Sequence, residues 1–167
     1  NVFIHAFTDG RDVDPKSGEF FLSALQNFTK NTTAKLASVI GRYYAMDRDR
    51  RWERIKLAYE LLVNGRGAPS QDIIKSIQES YDNDITDEFI NPIVMVDDNQ
   101  QPISTIEIDD VVIFFNFRTD RGRQLVEALT QTDYPECEMH KLPLYFVTMT
   151  SYDDTFKKMQ VIYHKDN

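Results

Sequence analysis

The 167 residues contain a single cysteine, Cys137. It has no partner for an internal disulfide, so a reducing compartment, the cytoplasm, is the simpler setting. No run approaches the roughly 18 apolar residues of a membrane span. The opening Asn1-Val2-Phe3-Ile4-His5 lacks the basic start and long apolar stretch of a secretory signal. The three histidines, His5, His140 and His164, are scattered, and neither Cys-x-x-Cys nor His-Glu-x-x-His occurs. There is no Gly-rich phosphate loop and no serine in a nucleophile elbow. A basic excess is also missing. The 19 Lys and Arg stand against 27 Asp and Glu, a net charge of −8, which argues against a general nucleic-acid binder.

What is present suits a soluble globular chain, with 41% hydrophobic and 28% charged residues. The length fits one domain over residues 1–167, enough to bury a real core. The chain opens directly into an apolar run with no initiator Met, as expected of a piece of a longer protein.

Short apolar runs predict strands at Val2 to Phe7, Lys35 to Ile40, Ile93 to Val96, Val111 to Phe115, Leu144 to Met149 and Met159 to Tyr163. A further run, Ile103 to Ile108, is expected to pair back across the turn Asp97-Asp98-Asn99 as a hairpin. Helical spacing predicts helices over Ser17 to Lys30 and Asp47 to Val63, with Asn64-Gly65 as a stop, and over Ser70 to Tyr81 and Arg121 to Leu129. Ser17 and Ser70 are the expected N-caps. The fold class is α/β: a mixed sheet of about seven strands with helices on its faces, closure into a barrel being an open alternative.

Arginines then stand out against the acidic background. They lie in Asp9-Gly10-Arg11-Asp12, Gly41-Arg42-Tyr43-Tyr44, Met46-Asp47-Arg48-Asp49 and Asn116-Phe117-Arg118-Thr119-Asp120-Arg121. Three of these motifs directly follow an expected strand, where open α/β folds bind ligands. The planar guanidinium meets a carboxylate or phosphate with two parallel hydrogen bonds. Each motif also has a plainer reading. Arg11 and Asp12 could form a surface ion pair in a turn, and Arg48 could belong to the charged first turn of a helix. Arg42 is evenly balanced. Arg118 and Arg121, three apart at a strand-to-helix junction, point most clearly to an anion site. Two or three such arginines suit a small phosphorylated acid at micromolar to millimolar affinity, on the order of −4 to −8 kcal/mol.

Taken together the motifs resemble the 2,3-bisphosphoglycerate-independent phosphoglycerate mutase family. The segments that carry the resemblance are Val2 to Asp12, Gly41 to Trp52, Tyr81-Asp82 with Thr86-Asp87-Glu88-Phe89, and Phe115 to Arg121. The resemblance implies most of an inserted substrate-binding domain of a two-domain isomerase that interconverts 3-phosphoglycerate and 2-phosphoglycerate. The other, phosphatase-like domain would carry two manganese ions and the serine that takes the phosphoryl group. By motif, Arg11 and Asp12 are expected at the glycerate, with Asp12 the candidate proton-transfer group. Arg42 and Arg48 are expected at the substrate carboxylate, and Arg118 and Arg121 at the phosphoryl group in transit. No metal ligand or cofactor is expected in this chain, and neither nucleic acid nor membrane is an expected partner.

Thr119 departs from the proline that the family often has there. The family's upstream Gly-Gly-Val-His segment and a later substrate-binding lysine are absent. A stand-alone binding module for small phosphorylated acids is the alternative. In the family a strand and a helix before Val2 belong to the same domain, so the first strand is expected to have an open edge and to allow weak self-association.

Overall fold

The structure, a computed structural model, describes residues 1–164. Its elements follow the order β1 (Val2–Thr8), α1 (Gly18–Thr29), β2 (Ala34–Gly41), α2 (Arg42–Ala45), α3 (Trp52–Asn64), β3 (Ala68–Ser70) and α4 (Ile73–Asp82). They continue with a 3-10 turn (Asp87–Phe89), β4 (Ile93–Met95), β5 (Val111–Phe114), α5 (Thr119–Thr130), a second 3-10 turn (Pro135–Cys137), β6 (Tyr145–Thr150) and β7 (Met159–Tyr163).

The expected α/β class holds, but the seven strands form two sheets and neither closes into a barrel. The first sheet has the order β1-β2-β4-β3 and is mixed: β1 runs parallel to β2, β4 antiparallel to β2, and β3 parallel to β4. The second, β5-β6-β7, is wholly parallel. Helices α1 and α4 cover one face of the first sheet, where Leu22, Ile73 and Ile77 pack on Leu36, Val39 and Ile93. Helix α3 takes Ile40 and Val94 into a second core with Ile55, Ala58 and Leu62. Leu125, Val126 and Leu129 of α5 extend that core to Phe114 and Phe146 of the second sheet. The helix pair α3 and α5 thus joins the two sheets.

The membership of the strand set differs from expectation. Ile103 to Ile108 is not a strand. Val96 pairs with Pro102 in one isolated antiparallel bridge, and the chain then leaves the sheet, with Ile106 N donating to the carbonyl of Leu62 at 2.8 Å. Pro102 has no N–H to continue a ladder, and Ile106 is buried against α3 instead. In its place Ala68–Ser70 forms β3, a segment too short and irregular in hydrophobicity to register as a strand.

Helix starts also shift. Helix α3 begins at Trp52 rather than Asp47, because the buried Asp47 carboxylate accepts the backbone N–H groups of Asp49 and Arg51 and holds that stretch in a turn. Gly65, at φ 64°, ends the helix as expected. The N-cap of α4 is Asp72, which accepts from Lys75 N at 3.2 Å, and Ser70 lies in β3. Ser17 donates to the Asp14 carbonyl and caps nothing; the distant Asp87 carboxylate accepts Gly18 N at 2.7 Å. No helix among the described residues is long and apolar enough to cross a membrane.

β1 is an outer strand with one open edge, and β5 is an outer strand of the other sheet. The two edges line one largely apolar cleft of about 840 Å³. Val111, Ile113 and Phe115, on the outward side of β5 and just beyond it, are exposed. Open strand edges template pairing with another chain. Weak self-association through β1 or the surface beside it is therefore expected. Light scattering that finds a strict monomer at high concentration overturns this.

His5, in the middle of β1, faces Ser38 across the pair, with Nδ1 2.7 Å from Oγ. Its polar partner lies within the sheet. Burial pushes its pKa from 6.5 down to about 4. The folded state therefore favours neutral imidazole, while an unfolded chain takes up the proton first. The resulting stability is complete above about 6.5 and is lost as pH falls through about 4. Its size is up to ~3 kcal/mol at about 1.4 kcal/mol per unit. Urea unfolding on both sides of that window should show a smaller acid loss in His5→Asn than in the parent; an equal loss would assign the effect elsewhere.

Candidate functional site

The site forms where β1, β2 and β5 end. Asp9 follows β1, and its Oδ1 accepts the backbone N–H groups of both Arg11 and Asp12 at 3.0 Å. This Asx turn folds the Arg11-Asp12 segment back over the strand end. Gly10 makes the bend at φ 63°, and a Cβ there would lie 2.6 Å from the Asp87 Cβ and 2.7 Å from Glu88 N. Asp87 is buried beneath the turn. Its Oδ1 accepts from the Tyr81 hydroxyl at 2.5 Å, and its carbonyl from the Thr8 hydroxyl at 2.7 Å. Burial, and then the Asp87 carboxylate, push the Tyr81 hydroxyl pKa upward, so it stays a donor.

Arg42 opens α2 directly after β2. Its side chain is only 3% exposed, and Nη1 lies 2.6 Å from Asp9 Oδ1 and 2.7 Å from Asp12 Oδ2. Arg118 sits at the N-cap position of α5, held there as Asn116 Oδ1 accepts its backbone N–H at 2.9 Å. Its Nη1 meets the same Asp12 Oδ2 at 2.5 Å. One carboxylate oxygen thus ties the end of the first sheet to the end of the second. Arg48 pairs with Asp120, in the first turn of α5, at 3.0 Å. Arg121 donates to the Met46 carbonyl at 3.1 Å. Arg11 makes a looser pair with Glu88 at 3.5 Å.

Arg11, Asp12, Arg42, Arg48, Arg118 and Arg121, spread over more than a hundred positions, are therefore brought to one end of the molecule. The charged first turn of a helix is not what Arg48 forms, since α3 begins only at Trp52. Asp9, Glu88 and Asp120 belong to the same network, and sequence reading assigned them no part in it. The sequence signal for Asp9 was its place before Gly10 in a turn, which reads as punctuation. Asp120 lay unremarked between two arginines.

The electrostatics follow from these contacts. Hydrogen bonds from Arg42 and then Arg118 hold the Asp12 carboxyl below its usual range. For Asp9 burial pushes upward, but the N–H groups of Asp12 and Arg11 together with Arg42 outweigh it and its pKa falls. Burial works against the charge on Arg42, and the carboxylates of Asp12 and Asp9 more than restore it. Arg121 is pushed down by burial and by the neighbouring cations Arg48 and Arg42. Arg11, Arg42, Arg48, Arg118 and Arg121 are thus gathered with Asp9, Asp12, Glu88 and Asp120 at one end of an acidic protein. The N-terminus of α5 adds its dipole. Such an arrangement can take up a small anion with two or more acidic groups.

Among the described residues no group of three or more His, Cys, Asp or Glu is placed to hold a metal ion.

Comparison with known proteins bears directly on this arrangement. The family model described as BPG-independent PGAM N-terminus matches residues 1–154. The chain belongs to this family. A 2,3-bisphosphoglycerate-independent phosphoglycerate mutase of Flavobacterium psychrophilum is 70% identical over 166 residues, 99% of this chain and 33% of the relative. The enzyme of the same description from Parabacteroides distasonis is 52% identical over 167 residues, again 99% of this chain and 33% of the relative. The chain spans a third of the length of these curated relatives. A crystal structure of Leishmania mexicana phosphoglycerate mutase, solved at low cobalt concentration, superposes with a TM-score of 0.81 at 27% identity. It covers 91% of this chain and 30% of that one.

The turn over Asp87 makes a direct prediction. Gly10→Ala combines a left-handed backbone with a Cβ clash, so a loss of at least ~2 kcal/mol is expected. Chemical denaturation measures it, and an unchanged midpoint would mean that the turn is not packed on Asp87.

Proposed function

We propose that the chain is the substrate-holding domain, over residues 1–167, of a mutase that interconverts 3-phosphoglycerate and 2-phosphoglycerate. The observation that carries the reading is the shared Asp12 Oδ2, which gathers Arg42 and Arg118 from two sheets into one anion site. Family membership and the neighbouring Arg11, Arg48 and Arg121 support it.

In this proposal Arg42 and Arg48 take the carboxylate of a phosphoglycerate or glycerate. Arg118 and Arg121 meet the phosphoryl group, aided by the first turn of α5. Arg11 and Asp12 face the glycerate hydroxyls, and Asp12 moves the proton. Asp12 is ionised in the ligand-free site because two guanidiniums hold it so. A ligand oxygen that displaces it from Arg118 would leave a carboxylate able to accept a proton. The serine that takes the phosphoryl group, and the metal ions with it, belong in this proposal to a phosphatase-like domain of the same cytoplasmic protein. The described residues offer no ligand set for such metals.

The chain alone is expected to bind 3-phosphoglycerate without converting it, even with manganese. Calorimetry should give a micromolar to millimolar Kd, about −4 to −8 kcal/mol. Arg118→Lys keeps the charge but loses the fork and should weaken binding about tenfold. Lys56→Arg, at a remote pair with Glu138, should leave it unchanged. Interconversion by the pure chain, or no binding at all, would overturn the proposal. A stand-alone binding module would bind equally well, but a full-length protein carrying this chain would then show no mutase turnover.

A further inference from the structure

Arg42 and Arg118 differ in a way that assigns a role to a residue outside the set named so far. The Arg42 side chain is 3% exposed, whereas that of Arg118 is 53% exposed. A buried guanidinium must keep a carboxylate beside it at all times, because an unpaired buried charge is strongly unfavourable. An exposed one can lose its partner to solvent or ligand at little cost. Asp12 serves both arginines through one oxygen, Oδ2. If Asp12 were the sole anion on Arg42, the buried charge would stand unpaired whenever Asp12 had left it and no ligand carboxylate was yet seated. Asp9 removes that conflict. Its Oδ1 lies 2.6 Å from the same Nη1 and is fixed by the two backbone N–H groups of Arg11 and Asp12.

We infer that Asp9 is the positioning residue of this site: it neutralises Arg42 permanently, and so frees Asp12 to exchange its arginines for an anionic ligand. This rests on the anion-site reading above and adds a division of labour within it. Asp9–Arg42 is the standing pair, and Asp12–Arg118 is the exchangeable one. Asp9 needs no contact with the ligand to act. Because its oxygen also closes the turn that carries Arg11 and Asp12, it sets the spacing between those groups and Arg42.

The charged groups facing Asp12 are Arg42 from α2, Arg118 from the start of α5 and Asp9 on its own turn. In Asp9→Asn the amide oxygen still accepts both backbone N–H groups, so the turn stands while the charge is lost. Arg42 must then draw on Asp12 alone. In the ligand-free chain the Asp12 carboxyl midpoint, followed by carbon NMR, should fall by about half a pH unit or more. Affinity for 3-phosphoglycerate should drop about tenfold. Asp9→Glu restores the charge and should recover most of both. Loss in Asp9→Glu equal to that in Asp9→Asn would overturn the inference, since restoring the charge would then have restored nothing. So would an Asp9→Asn chain with the parent's midpoint and affinity. If the parent chain binds no 3-phosphoglycerate, the functional reading fails separately, and the ligand-free midpoints still decide the role of Asp9.

Discussion

A guanidinium with 3% of its side chain in contact with water requires anions built around it, and Arg42 has two, Asp9 and Asp12. Much of the architecture of this end of the molecule follows from that requirement. Asp9 and Asp12 must come from a turn at the end of the neighbouring strand, so β1 and β2 run parallel and finish level, with Thr8 opposite Gly41. The turn must be tight, which places Gly10 in a left-handed conformation over Asp87. Asp12 then has a second side free for Arg118, which fixes where β5 ends and α5 begins.

The support beneath this arrangement is as polar as the site above it. Asp87 is 1% exposed yet caps α1 through Gly18 and accepts the Tyr81 hydroxyl, while its carbonyl takes Thr8. A buried carboxylate is tolerable only when hydrogen-bonded, and here the bonds tie α1, α4 and β1 to one 3-10 turn. Glu88, the next residue, reaches Arg11. The segment that sets the floor of the turn therefore also sets the outer edge of the charge cluster.

The two sheets have separate hydrogen-bond ladders, and their union rests on side chains. Phe7 of β1 meets Phe114 of β5 with ring centroids 5.9 Å apart. Helices α3 and α5 share the larger core. Near the site the union is ionic, through Asp12 between Arg42 and Arg118. This division matters for function, because packed apolar surfaces hold a fixed distance whereas an exposed ion pair can open for a ligand.

The sequence by itself determined the α/β class, six of the strands, and the placement of arginines just past β1, β2 and β5. It could do so because hydrophobic runs and turn residues act over a few neighbouring positions. The tertiary structure alone decided that the strands divide into two sheets and that Ala68–Ser70 replaces Ile103 to Ile108. Strand pairing is a contest between distant segments, and Pro102 and the pull of α3 on Ile106 settled it. Resemblance to a family named Arg11, Asp12, Arg42, Arg48, Arg118 and Arg121, but which carboxylate meets which guanidinium was not legible. Asp9, Asp87, Glu88 and Asp120 gained their partners only when residues as much as 79 positions apart came together. A carboxylate in sequence is one of 27 acidic residues; its role is fixed by the cation or N–H that folding brings within 3 Å, and no local pattern encodes that distance.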